Sequence, residues 1–229
     1  MIILGVDSSS KTASAAIVKD GKLICEVFQN NGLTHSQTLL PIIDECFKKA
    51  KINIDNIDLI AVSNGPGSFT GIRIGISVVK GIAFTNSIPC CPVSTLKALS
   101  VNAKNFTGKI YSVLDARCSQ VYFAEFKCEN ETITRLCEDC AITLEELKKR
   151  VSEETENIIF VGDGSEICYN YLKDDFNNVF LSDIDLRYCR GFGVAMSAEE
   201  KKVVDSEKII PAYLRLPQAQ RNLKKDGSK

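Results

Sequence analysis

The segment Ser63-Asn64-Gly65-Pro66-Gly67-Ser68-Phe69-Thr70-Gly71-Ile72-Arg73-Ile74-Gly75 decides how this chain is read. It follows the short apolar run Leu59–Val62 and leads into an apolar stretch that continues to about Phe84. Apolar run, glycine-rich turn and long apolar run describe a buried strand feeding a helix. Such turns present backbone N–H groups that can receive an anion. The same glycines also permit a sharp turn and close packing, with Gly71, Gly75 and Ser77 letting backbones approach. Both readings stand at this level. The segment is not a P-loop, because no Gly-Lys-Ser/Thr follows at the required spacing.

The helix that begins here, Thr70–Phe84, places Ile72, Ile74, Ile76, Val78, Val79, Ile82 and Phe84 around much of its circumference. A helix apolar on more than one face must be buried on more than one face. Upstream, Thr34 or Ser36 can cap a helix running from His35 to about Lys49, with Pro41 in its first turns. Leu39, Ile42, Ile43, Cys46, Phe47 and Ala50 recur there at spacings of three and four. If both helices lie on one side of a sheet, their outer faces need a partner, and a helical protein–protein interface follows. The competing reading is a fully internal helix covered by the second lobe.

Working outward, Ile2–Val6, Thr12–Val18 and Leu23–Phe28 are strands joined by the polar turn Asp7–Lys11 and by Asp20-Gly21, which makes an antiparallel meander. Ile110–Leu114 and Val121–Phe126 pair around Asp115-Ala116-Arg117-Cys118-Ser119. Leu144–Val151 reads as a helix, Ile158–Val161 as a strand ending in Gly162-Asp163-Gly164, and Ser165–Leu172 as a helix. Gly193–Val204 reads as the last helix and Pro211–Arg215 as an extended segment. The expected organisation is α/β in two lobes, each with a mixed sheet flanked by helices: 1–105, and 106–215 with its last helix packing back toward the first lobe. The basic segment 216–229 is expected to be disordered.

Composition narrows the chemistry. The chain has 229 residues, 45% hydrophobic and 25% charged, with net charge -1, ten cysteines and one histidine. That is globular composition, and near-neutral charge argues against a dedicated nucleic-acid binder. One histidine excludes two-His zinc sites and histidine relays. The N-terminus has no basic region before its short apolar run, and no stretch approaches the ~18 apolar residues of a membrane span. The cysteines are mostly scattered through apolar segments, where a thiol behaves as a small hydrophobe. A reduced, cytoplasmic protein with no membrane contact is expected. Cys137 and Cys140 alone have ligand-like spacing. A four-thiolate site would have to borrow Cys118 and Cys128.

The catalytic inventory is poor. His35 has no local nucleophile or acid to form a triad. Asp7 and Asp115 stand at equivalent strand ends, and Gly162-Asp163-Gly164 is a third turn. Together they sketch an actin-like ATPase cleft, in which Asp7, Ser8, Gly67, Asp115 and Gly162 are the candidate nucleotide or anion contacts. The turns Asp7-Ser8-Ser9 and Asp115-Ala116-Arg117 nonetheless lack the glycine that lets backbone approach a phosphate. A stand-alone ATP-dependent enzyme of this fold is therefore the alternative function, and a zinc- or redox-responsive module built on Cys137 and Cys140 is a third.

These residues resemble the bacterial TsaB (YeaZ) family. The resemblance rests on Gly5-Val6-Asp7-Ser8-Ser9, Thr34-His35-Ser36 with Leu39-Leu40-Pro41, the segment Gly65–Gly75, Asp115-Ala116-Arg117 with Val121-Tyr122, and Pro211-Ala212-Tyr213-Leu214-Arg215. It implies the actin-like ATPase (ASKHA, ribonuclease H-like) fold. It also implies a non-catalytic subunit that assists TsaD, together with the ATPase TsaE, in threonylcarbamoyl transfer to adenosine 37 of tRNAs reading codons that begin with A. In the catalytic paralogue a metal-binding histidine pair follows the glycine-rich helix. By that alignment the pair falls here on Thr95 and Leu99, so no catalytic residue and no intrinsic metal or cofactor are expected. ATP or ADP is expected only at the partner interface. The resemblance further places helices 35–50 and 70–84 against TsaD, with His35, Leu39, Ile43, Ile72, Arg73, Ile76 and Val79 as contacts. It implies a homodimer when TsaD is absent, and tRNA contact mainly through the complex.

Overall fold

A computed structural model describes residues 1–215, so the tail 216–229 lies outside the described residues. Strands β1 (Ile2–Asp7), β2 (Ala13–Lys19) and β3 (Lys22–Gln29) form the expected meander. Its tight turn is made by Asp20 and Gly21, whose φ values of 49° and 76° suit a two-residue hairpin. Helix α1 (His35–Ala50) returns the chain to β4 (Leu59–Gly65), which pairs parallel to β1. Helix α2 (Phe69–Asn86) leads to β5 (Cys90–Ser94), parallel to β4. The first sheet is thus ordered β3-β2-β1-β4-β5.

After the short helix α3 (Thr95–Ser100), the plan is repeated. Strands β6 (Gly108–Asp115), β7 (Gln120–Glu129) and β8 (Thr132–Arg135) form a second meander, and β9 (Cys140–Thr143) also pairs with β7. Helix α4 (Leu144–Ser152) starts with a reciprocal Thr143–Glu146 capping box. Strand β10 (Ile158–Val161) then pairs parallel to β6, and after helix α5 (Ser165–Leu172) strand β11 (Val179–Leu181) pairs parallel to β10. Read from β8, the second sheet runs β8-β7-β6-β10-β11, the same order as the first. Two such ribonuclease H-like sheets in tandem make the actin-like ATPase fold.

The sheets stack with helices between and outside them. Alternation along β1 sends Leu4 and Val6 toward α1 and α2, and Ile3 toward the other sheet. The middle layer holds α3, the helix α6 (Gly191–Met196), and inward residues of both sheets such as Val93, Ile110, Ala124 and Phe126. Tyr111, Phe123 and Phe160 fill the outer core of the second sheet with edge-on ring contacts, beneath α4 and α5. All ten thiols are free. Burial pushes the Cys46 and Cys168 thiols up to about 12, which fits core filling rather than reactivity.

One expected helix is shorter than its sequence pattern. The Gly193–Val204 reading becomes α6, which lies on β1 and β2 and ends at Met196, followed by a 3₁₀ turn over Glu200–Lys202. The cause is tertiary. Val204 exchanges both backbone hydrogen bonds with Cys90 at 2.8 and 2.9 Å, so the chain leaves helical geometry to pair with an otherwise open sheet edge.

Beside that edge, Glu199 bridges Lys97 at 2.6 Å and Lys201 and Lys202 at 3.2 Å. These lysines, Lys97 foremost, hold the Glu199 carboxyl down at about 2. A carboxylate depressed in the folded state stabilises the fold fully above its unfolded pKa. That contribution is lost as pH falls from about 4.5 through about 2. In this window Glu199→Gln is expected to flatten the pH dependence of urea-unfolding stability by on the order of 1–2 kcal/mol, allowing for partial solvent screening. Identical acid limbs for the two proteins would disprove this role.

Candidate functional site

Because the sheets share one order, Asp7 at the end of β1 and Asp115 at the end of β6 occupy matching places. The turns after them face a cleft of about 590 Å³. Its lining includes Ser9, Ser10, Lys11, Gly67–Thr70, Asp115–Arg117 and Asp163. Around this cleft lie the residues that the sequence offers as nucleotide or anion contacts.

The Asp7 carboxylate is fully buried and not part of the cleft lining. Its Oδ1 accepts from the Ser9 hydroxyl at 2.6 Å, from the Ser9 N–H at 3.3 Å and from the Ser63 hydroxyl. Oδ2 is buried without a partner among the described residues. The buried Cys189 thiol is pushed well above its ordinary value by desolvation and by the adjacent Asp7 charge. Ser8 donates its hydroxyl to the Gly71 carbonyl at 2.9 Å, and the Ser68 N–H donates to the Ser9 carbonyl at 2.7 Å. A Cβ on Gly67 would lie 2.2 Å from the Ser9 oxygen, and one on Gly71 2.1 Å from the Ser8 oxygen. Close packing is therefore what these glycines serve. The turn after β1 is pressed onto the start of α2, where a phosphate would otherwise approach.

His35 completes that packing. Its Nε2 lies 2.8 Å from the Ser10 carbonyl as the donor, while Nδ1 is buried with no partner among the described residues. From the start of α1, where it is half-buried, it braces the turn after β1.

On the second lobe, the Asp115 N–H donates to Asp163 Oδ1 at 3.0 Å, and Asp115 Oδ1 accepts from the Arg117 N–H at 2.7 Å. Burial, then the nearby Asp115 charge, raises the Asp163 carboxyl above its ordinary value. Gly162 has φ +107°, and a Cβ there would lie 2.0 Å from the Val113 oxygen, so it too is a packing glycine. Arg117, Cys118 and Ser119 sit consecutively in the left-handed region, at φ 61°, 56° and 54°. Without glycine each such residue costs on the order of 1 kcal/mol. The candidate anion contacts are thus gathered around the cleft, but Asp7, Ser8, Gly67 and Gly162 are tied into the protein itself.

The positions aligned with a metal pair are Thr95 and Leu99, one turn apart on α3 and fully buried in the middle layer. Among the described residues no three His, Cys, Asp or Glu side chains come together as a metal-binding set. Cys137 and Cys140 are half-buried, and burial raises both thiols.

The helix pair requires a correction. Leu39, Ile43, Ile72, Ile76 and Val79 are core residues, none more than 5% exposed, packed onto the first sheet. They cannot be the outer contact surface, because the sheet itself takes that face. The outward side of α2 carries exposed Arg73, Ser77, Gly81 and Phe84, flanked by half-buried Ile74, Val78 and Ile82. Leu40 of α1 is also exposed. Phe84 stands 69% exposed, and a Cβ added to Gly81 would meet no atom of the described residues within 4 Å beyond its own helix backbone.

Sequence reasoning also missed a strap. Ala212 N–H donates to the Asn64 carbonyl at 2.7 Å, and Asn64 Nδ2 donates to the Ile210 carbonyl at 3.2 Å. Tyr213 stacks on Phe69 with ring centroids 4.4 Å apart, and Arg215 donates to the Ala116 carbonyl at 2.6 Å. Residues 210–215 therefore run from the turn before α2 to the turn after β6. Pro211–Arg215 is legible as extended, but its docking partners lie far away in the sequence.

Residues 29–225 match the family described as TsaD: tRNA N6-adenosine threonylcarbamoyltransferase. The chain is 27% identical to the tRNA threonylcarbamoyladenosine biosynthesis protein TsaB of Bacillus subtilis, over 96% of each protein. It is 30% identical to the TsaB of Escherichia coli, over 72% of each. Among solved structures, YeaZ from Pseudomonas aeruginosa superposes with a TM-score of 0.79 at 24% identity, covering 93% of this chain and 99% of that one. The duplicated sheets and these matches lead to one assignment: the chain belongs to the threonylcarbamoyltransferase family and, within it, to the TsaB proteins.

Proposed function

We propose that this chain is a non-catalytic subunit that docks on a TsaD-type transferase through the outward face of α1 and α2. In that complex it assists threonylcarbamoyl transfer to adenosine 37 of tRNAs reading codons that begin with A. TsaE joins the same assembly, tRNA is reached mainly through the partner, and the chain works in the cytoplasm. When the transferase is absent, the same face pairs with a second copy to give an isologous homodimer. The chain holds no cofactor of its own, and ATP or ADP enters only at the partner interface. No helix among the described residues is long and apolar enough to cross a membrane.

One observation carries the proposal: Gly81. A glycine in mid-helix costs about 0.5–1 kcal/mol relative to alanine. Gly71 and Gly75 have a reason for their missing Cβ, since Ser8 occupies that space. Gly81 has none among the described residues, and it lies beside the 69% exposed Phe84. A helix laid against this stripe supplies the reason, because small residues let backbones approach and the aromatic ring fills the neighbouring groove. The tied-up Asp7 turn and the buried Thr95–Leu99 pair, which has no metal-ligating side chain, support the absence of catalysis.

The test is co-purification with TsaD and TsaE, followed by a tRNA modification assay with and without this chain. Gly81→Glu and Phe84→Glu place a charge on the stripe without touching the core. Each is expected to weaken association by about a hundredfold or more and to leave the melting temperature near that of the wild type. A full-strength heterodimer from either variant would refute the surface. Modification at an unchanged rate without the chain would refute the function.

A further inference from the structure

The strap over α2 bears on the same surface. Arg73 is exposed at the N-terminal end of the outward stripe, and its side chain does not float. Its Nε donates to the Tyr213 hydroxyl at 2.6 Å, and its guanidinium carbon lies 5.5 Å from the centroid of the Tyr213 ring. Tyr213 is itself fixed by the Phe69 stack. The backbone beneath it is pinned at Asn64 on one side and, through Arg215, at Ala116 on the other. Gly65 belongs to this arrangement: at φ +126°, a Cβ there would lie 2.5 Å from the Ala212 oxygen. A long side chain that normally samples many rotamers is therefore held by Tyr213, a residue far away in sequence that is itself fixed at Phe69, Asn64 and, through Arg215, Ala116.

With Nε occupied, the two terminal nitrogens have no partner among the described residues. They form the end-on fork that accepts a planar two-oxygen group. Helix α2 carries Arg73 and Lys80 and no acidic residue, and Lys80 is spent on the Glu207 carbonyl at 2.9 Å. Among the described residues the stripe thus offers one oriented cation with no internal counter-charge.

We propose that Tyr213 is a positioning residue that presents the Arg73 guanidinium to a carboxylate side chain of the transferase partner, so that the strap is a third element of the docking surface beside α1 and α2. This rests on the docking face proposed above. An aspartate or glutamate on the partner's facing helix closes a bidentate ion pair at the rim of the apolar stripe. Because Arg73 is already oriented, less side-chain entropy is lost on docking than a free arginine would lose.

The experiment measures affinity of the full chain for the TsaD partner by calorimetry across a salt series. The proteins are wild type, Arg73→Ala, Arg73→Lys, Tyr213→Phe, the double variant Arg73→Ala/Tyr213→Phe, and Phe84→Glu as a control on the face itself. Arg73→Ala is expected to weaken binding about tenfold and to flatten its salt dependence. Arg73→Lys is expected to keep the charge but lose most of the affinity, because an ammonium has no fork. Tyr213→Phe keeps the stack and is expected to cost about threefold, an effect that disappears when Arg73 is already alanine. A purely structural strap would lower thermal stability and leave the salt slope intact, which would overturn the inference. If Phe84→Glu abolishes binding while all Arg73 and Tyr213 variants bind like wild type, the face stands and this inference falls. If Phe84→Glu binds normally, the face itself is wrong. Strengthening of wild-type but not Arg73→Ala binding by inorganic phosphate would assign the fork to phosphate and overturn the carboxylate.

Discussion

Gly5→Val is expected to leave no folded protein. Gly5 sits in the middle of β1, where α6 crosses so closely that a Cβ would lie 2.1 Å from the Gly191 oxygen and 2.8 Å from the Ala195 nitrogen. Neither is a flexible side chain that can swing away. The reverse approach is equally tight, since a Cβ on Gly191 would lie 2.6 Å from the Ala16 nitrogen. The helix is also held at its start. The Gly191 N–H donates to Ser14 Oγ and the Phe192 N–H to Glu26 Oε1, both at 3.0 Å, while Arg190 pairs with Glu26 at 2.7 Å. To admit valine, α6 must lift from the sheet, opening the middle layer and breaking the Glu26 cap together. Overpacking of that kind costs several kcal/mol, comparable to the whole stability of a domain. Soluble expression and a thermal melt by circular dichroism decide it. A cooperative transition within a few degrees of wild type would show that the layer can part without cost.

Ile72→Glu is the second large effect, and its value lies in the contrast with Gly81→Glu. Both substitutions place a carboxylate on α2, nine residues apart. Ile72 is fully buried against the first sheet beside Leu39 and Val62, whereas Gly81 is exposed. Burying an unpaired carboxylate in that cluster is expected to cost more than about 4 kcal/mol, between lost packing and desolvation. The variant should fail to fold cooperatively, so its loss of partner binding would say nothing about the interface. Gly81→Glu should melt like wild type and fail only in docking. If Ile72→Glu instead folded and lost the partner alone, the burial of α2 described above would be wrong.

That contrast marks what periodicity can and cannot tell. The apolar residues of α1 and α2 announce two helices that are buried on more than one side. They do not say which side meets the sheet, because Ile72 and Ile74 are equally apolar and only β1 and β4 choose between them. The excess of apolar surface was legible; its assignment to Ile72, Ile76 and Val79 was reversed. The meander at the N-terminus was legible because strong turn chemistry at Asp20-Gly21 sits between two short runs rich in apolar residues. Strands β5, β8, β9 and β11 went unread for the opposite reason. They are five, four, four and three residues long, and are strands only by virtue of the neighbours that pair with them. The duplication of the sheet order was invisible in the sequence, since alternation of burial can be kept while every side chain changes.

The cleft divides in the same way. Missing phosphate-turn glycines after Asp7 and Asp115 were readable residue by residue. That Gly67, Gly71 and Gly75 serve contact with Ser8 and Ser9 was not, because those atoms are some sixty positions away along the chain.

By itself, then, the sequence determined composition, local structure and kinship: an α/β chain with one histidine, two apolar helices, a glycine-rich turn, and motifs shared with the TsaB proteins. Tertiary structure alone decided which face of each helix is free, where α6 ends, that the turn after β1 packs against α2, and that Tyr213 orients Arg73. The physical reason is that helices, hairpins and caps are selected by interactions within a few residues. Burial, backbone approach and side-chain orientation depend on groups that only the complete fold brings together.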